Sequence, residues 1–132
     1  MTTEKTETSE LLELTQRLLE SIAEADWETY SALCDPSISA FEPESAGHLV
    51  EGMEFHRFYF ERGGVQGPYN VTIVSPHVRL LGDTGIVSCV RLVQRLDPTG
   101  NPIVTQSQET RVWHRSDDQW RHVHFHRSVG AS

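Results

Sequence analysis

Cysteine is scarce in this chain of 132 residues. There are two, Cys34 and Cys89, and neither has a Cys-x-x-Cys neighbour. That excludes a disulfide-framed miniature fold and the usual thiolate zinc site. Positive charge is short as well: 11 Lys and Arg stand against 19 Asp and Glu, a net charge of −8. The sign is wrong for nucleic acid or for an anionic membrane surface. No apolar run approaches the ~20 residues that span a bilayer. The opening residues, Met1-Thr-Thr-Glu-Lys-Thr-Glu-Thr-Ser-Glu10, lack the hydrophobic segment of a signal peptide. A cytoplasmic protein with reduced, buried thiols is expected. Also missing are Gly-x-Ser-x-Gly, a phosphate loop and any internal repeat. Neither a nucleophile motif nor a cofactor fingerprint is present.

What is there reads as a single domain behind a disordered acidic tail, residues 1–8, with the domain itself over 9–132. Leu11, Leu14, Leu18 and Ile22 recur at spacings of three and four, with Leu12 and Leu19 widening the stripe. This predicts a long amphipathic helix from about Thr8 to Ala25. Asp26 can cap a second helix, Trp27 to Cys34, which Asp35-Pro36 ends. Ile38 to Phe41 is a short strand, Glu42 to His48 a turn-rich loop, and Glu51 to Phe60 a third helix. In that helix Met53, His56, Tyr59 and Phe60 share a side. Beyond the Gly63–Pro68 connector the period changes to two. Strands are predicted over Tyr69–Leu81 (interrupted at Ser75-Pro76, hence an edge or a bulge), Ile86–Leu96, Ile103–Arg115 and Gln119–Arg127. Helices first and a meander after make an α+β domain, a curved antiparallel sheet with a helix laid on it.

Strand parity puts arginine where arginine is rare. Val87, Cys89, Arg91 and Val93 share one face of a strand. Glu109, Arg111 and Trp113 share a face of the next, and Val123, Phe125 and Arg127 a face of the last. A guanidinium cannot shed its charge, so on a core face it needs an anion. The anion can be internal, with Glu109 beside Arg111, or the three arginines can converge on a small carboxylate. On the opposite face of the last strand, parity lines up His122, His124 and His126. Strict alternation spreads them too far to converge on one ion, and no acidic residue or cysteine is dedicated as a further ligand. No metal is therefore assigned, and the stripe reads as a titratable interface.

The stretch Phe41-Glu-Pro-Glu-Ser-Ala-Gly-His-Leu-Val-Glu-Gly-Met-Glu-Phe-His-Arg-Phe-Tyr-Phe-Glu61 resembles the association (hub) domain of calcium/calmodulin-dependent protein kinase II. So do Cys34-Asp35-Pro36, Ser107-Gln-Glu-Thr-Arg-Val-Trp-His-Arg115 and Val123-His-Phe-His-Arg-Ser128. The resemblance runs from about Leu11 to Ser128. It implies an NTF2-like (cystatin-like) cone, with the long N-terminal helix packed in a strongly curved antiparallel sheet. It also implies a non-catalytic hub that self-assembles into two stacked rings, dodecameric or tetradecameric, gathering kinase domains in cis or in trans. By position it implies a small-carboxylate pocket at His56, Arg91, Arg111 and Arg127. The loop after Glu61 departs from the family: it is glycine-rich and lacks the tryptophan that gates the cavity in some members. The alternative reading is a free-standing NTF2-like enzyme or binding protein acting on a small carboxylate, with His56 or Tyr59 as acid or base.

Overall fold

The computed structural model describes residues 2–129. The order of elements is α1 (Thr2–Glu24), α2 (Trp27–Leu33), β1 (Cys34–Phe41), a 3₁₀ turn (Pro43–Ser45), β2 (Val50–Glu51), α3 (Glu54–Phe60), β3 (Tyr69–Leu81), β4 (Thr84–Leu96), β5 (Pro102–Ser116) and β6 (Gln119–Ser128). Helix α1 begins at Thr2, so the segment read as a tail continues the helix, and Glu7 reaches Arg115 on β5. Helix α3 starts three residues later than expected, because Val50 and Glu51 pair with Ala40 and Ser39 of β1.

The helix ends follow local chemistry. After α1, Ala25 takes a left-handed φ of 54°. Its N–H then bonds Ile22 O at 3.2 Å, and that of Asp26 bonds Ser21 O at 2.8 Å, which is the Schellman pattern. Asp26 next caps α2 by accepting from Thr29 N (3.1 Å) and Thr29 Oγ1 (2.7 Å). The leucine stripe is buried as its spacing predicts. Leu11 and Leu18 join Tyr30, Ile38, Val87, Trp113, Trp120 and Phe125 in one cluster, while Leu19 packs with Ala23 and Val71 in a second. Two glycines let backbone and helix close up. A Cβ on Gly85 would meet Leu11 Cδ1 at 2.4 Å, and one on Gly64 would meet Ala23 O at 2.3 Å. The second places the 63–67 loop directly on the end of α1.

The expected strongly curved antiparallel cone is not what forms. The six strands run β2-β1-β6-β5-β4-β3 in an open sheet that is neither closed nor strongly curled. The sheet is mixed, because β1 pairs parallel with β6 while every other pairing is antiparallel. The physical reason lies in the cover. Helix α1 lies against β3 and β4, and α2 beside it lies against β1 and β6. Two helical segments side by side bury a broad face, so the sheet need not wrap around one. Helices and strands still make an α+β fold.

The histidine stripe also needs correction. Between β5 and β6 the register shifts, with Val112 opposite His124 but Trp113 opposite His122, so Val123 is an extra residue. This β-bulge inverts parity along β6. His122 turns into the core, wholly buried beside Trp113 and Phe125, with its Nδ1 3.7 Å from Cys34 Sγ. Only His124 and His126 stay on the outer face. There the ring of Phe41 lies beside both, and Ser39 Oγ is 2.7 Å from His124 Nδ1. A second register shift at Ser75-Pro76 on β3 is where the sequence placed it, on an edge strand.

Candidate functional site

A buried carboxylate organises the inner face. Glu109, on β5, is almost wholly inaccessible. Its Oε1 accepts from Arg111 Nε at 2.8 Å and lies 2.8 Å from Arg111 Nη2. Its Oε2 accepts from Ser107 Oγ at 2.8 Å and lies 2.9 Å from Arg91 Nε. The i, i+2 spacing of a strand supplies Ser107 and Arg111, and the adjacent strand β4 supplies Arg91. Burial pushes the Glu109 carboxyl up. Arg111, Arg91 and the Ser107 hydroxyl together outweigh it and hold the group below the usual range, ionised. Burial likewise works against Arg111, and Glu109 reverses it. Arg91, with less compensation, is pushed down to about 10 and still carries its charge at neutral pH.

Beside this cluster is a cavity of about 120 Å³ whose walls include His56, Arg91, Arg111, Arg127, Glu42 and Tyr30. The four residues singled out in the sequence therefore converge on one space. Each arrives differently: His56 from α3, Arg91 from β4, Arg111 from β5, and Arg127 from β6 beyond the bulge. The Arg111 guanidinium stands over the Phe125 ring, 4.5 Å from its centroid. Its Nη1 has no hydrogen-bond partner in the protein, nor has His56 Nε2.

The third arginine is neutralised by residues that strand and helix periodicity did not single out. Arg127 Nη2 contacts Glu44 and lies 3.6 Å from Glu42 Oε1. His56 Nδ1 lies 3.6 Å from Glu42 Oε2. Burial first, and then the charge of Glu44, push the Glu42 carboxyl up. Glu44, drawn down by Arg127, stays ionised. His56 is held down at about 4, by burial and then by Arg111, so its ring is neutral. The signal for Glu42 and Glu44 was available: two carboxylates flanking a proline, a short loop ahead of the helix that carries His56. Tyr59, the other acid–base candidate, lines the same cavity but is 42 % exposed. Among the described residues no group of His, Cys, Asp and Glu is placed to hold a metal ion, and no helix is long and apolar enough to cross a membrane.

Three helices and a mixed six-stranded sheet in an α+β arrangement make this an NTF2-like domain. The family description "Calcium/calmodulin dependent protein kinase II association domain" matches residues 7–131, and the chain belongs to that family. It is 48% identical over 127 residues to the delta subunit of the rabbit (Oryctolagus cuniculus) type II kinase. The matched stretch is 94% of this chain and 24% of that protein's length. It superposes on the association domain of the Caenorhabditis elegans kinase with a TM-score of 0.90 at 44% identity, covering 96% of this chain and 98% of that one. The hub homology domain from Chlamydomonas reinhardtii gives 0.87 at 44% identity, covering 94% and 98%. The chain is thus a hub-type oligomerisation domain and not an enzyme.

Two outcomes follow from the buried charges. Glu109→Gln leaves Arg91 and Arg111 sharing a neutral partner. At fixed protein concentration it is expected to cost about 3–5 kcal/mol of unfolding free energy, read from urea denaturation. An unchanged midpoint would show that the cluster is not held by charge. His56 gives a pH signature. Its folded value of about 4 lies below the ordinary 6.5, so the unfolded chain takes the proton first as pH falls. Stability then declines from pH 6.5 down to about 4, by of order 3 kcal/mol, and this contribution levels off below. His56→Gln should flatten that slope, leaving the part due to His122, which burial pushes the same way, and, at the acid end, the part due to Glu109 and Glu44, both held below the usual carboxylate range. An equal slope in both proteins would contradict the assignment.

Proposed function

We propose that this chain closes into two stacked rings, dodecameric or tetradecameric, and gathers kinase domains joined to it or bound from solution. The observation that carries the reading is the 44% identity and 0.90 TM-score to the C. elegans association domain over nearly the full length of both chains. The sheet supports it. One face is covered by α1 and α2, while the other carries Phe41, 37 % exposed, with His124 and His126 beside its ring. Heterologous contacts between copies form rings wherever their rotation closes. A ring raises the local concentration of whatever is tethered to it, so attached kinase domains act on one another. The chain spans about a quarter of its curated kinase relative, so the kinase side of the proposal concerns a partner domain. Light scattering and sedimentation on the purified chain should give roughly ten or more subunits. A monomer or dimer at micromolar concentration would overturn the ring.

The cavity at His56, Arg91, Arg111 and Arg127 is proposed as a small-carboxylate site. In its support, Arg111 Nη1 and His56 Nε2 are buried donor-capable atoms free of protein partners. A buried guanidinium N–H gains most from an ionised acceptor. Millimolar 4-hydroxybutyrate should raise the melting temperature of the native protein, and Arg127→Gln, at the outer end of the cluster, should weaken that rise. No stabilisation, or stabilisation indifferent to Arg127→Gln, would remove the site.

A further inference from the structure

The carboxylate cavity has a neighbour. A groove of about 850 Å³ lies between the C-terminal end of α1, the 63–67 loop and the far ends of β3 and β4. Its apolar lining comes from Leu19, Ala23, Val65, Val71 and Val93, and its charged lining from Arg91, Arg95 and Asp97. Ile22 and Arg91 line both the groove and the cavity. The groove therefore begins at the residue that already faces Glu109.

Size makes the pairing informative. Small-molecule pockets run about 300–1,000 Å³. The cavity, at about 120 Å³, has room for about four water-sized groups, enough for a carboxylate and a carbon or two. Cavity and groove together fall inside the ordinary range. The loop keeps the groove open. Gly64 seats the loop against Ala23 O, where a Cβ would come within 2.3 Å, and Val65 N–H bonds the same oxygen at 2.7 Å. Between Gly63 and Gly67 only Val65 and Gln66 carry side chains, and neither is aromatic.

We infer that the site takes an amphipathic monocarboxylate, its head at Arg111 and His56 and an unbranched aliphatic tail of medium length along the Leu19–Val93 groove. This rests on the carboxylate reading of the cavity and adds the tail. The chemistry of the walls requires both ends. The head meets Arg111 Nη1, a buried donor without a protein partner, beside the equally unpartnered His56 Nε2, and past Arg91 the tail runs along the side chains of Leu19, Ala23, Val71 and Val93.

The test is a binding series on the assembled protein by calorimetry, with butyrate, octanoate and 1-octanol. Each methylene buried tightens binding about fourfold, so octanoate is expected more than tenfold tighter than butyrate. 1-Octanol should be much weaker than octanoate. Val65→Trp, a change on the loop at the groove wall that fills the tail's path and is remote from Arg111 and His56, should bring octanoate back near butyrate and leave butyrate unchanged. If butyrate binds and octanoate is no tighter, the tail inference fails while the cavity reading stands. If neither acid binds, both fail. Octanol matching octanoate would detach the groove from the arginines, and an octanoate advantage that survives Val65→Trp would place the tail elsewhere; either result overturns the proposal.

Discussion

Glu109 is the constraint from which the inner face is built. Two guanidiniums on neighbouring strands lie beneath helices, where an unpaired charge is prohibitive. One carboxylate holds both, with Ser107 filling the remaining acceptor site on Oε2. A buried ion pair adds little net stability over a well-packed apolar substitute, yet breaking one is costly. The cluster is better understood as fixing register than as cementing the fold. A one-residue slip between β4 and β5 would point Arg91 and Glu109 to opposite faces, which no alternative pairing could compensate. Phe125, stacked under Arg111, ties β6 into the same arrangement.

Much of this was legible from alternation alone. Arg91, Arg111 and Glu109 sit on the face their parity predicted, because β4 and β5 pair without interruption from Thr84–His114 to Leu96–Pro102. His122 was not legible, because the bulge that turns it inward is at Val123, a residue that looks ordinary in a strand. Nothing in the pattern of β6 marks the change. It arises because Trp113 and Trp120 must both enter the core at one end of the hairpin while Phe125 and Arg127 enter at the other. The tight turn between the strands takes positive φ at Asp117 and Asp118 (53° and 62°), the geometry that matches strand twist in a two-residue hairpin. With the turn fixed, the extra residue had to be absorbed within β6.

Curvature and the partners of the third arginine were hidden for a different reason. Both depend on elements whose placement is tertiary. The family resemblance implied a sheet wrapped strongly around the long helix, but α2 shares the cover and the sheet stays open. Glu42 and Glu44 look like loop residues because they are. They reach Arg127 because a 3₁₀ turn, closed by Ser45 Oγ donating to Glu42 O at 2.7 Å and by a left-handed Ala46, folds the loop back across the end of β6. Local propensity can predict such a turn but not the direction in which it delivers its side chains.

The resulting electrostatics set the terms for any ligand. Arg91, Arg111 and Arg127 are balanced by Glu42, Glu44 and Glu109, and His56 is neutral. A carboxylate entering this space would leave an excess negative charge in a region of low dielectric, which is unfavourable unless a proton enters with it or an acid group moves out. Two groups differ in how readily they yield. Glu109 is held by two arginines and a hydroxyl and cannot leave without stranding them. Glu42 is already pushed toward its neutral form by burial and by Glu44, and Glu44 stands at the exposed edge. The tight half of the cluster therefore keeps the fold, and the looser half, at the Glu42–Arg127 end, is where negative charge can be given up to admit a carboxylate beside Arg111 and His56 without disturbing the sheet.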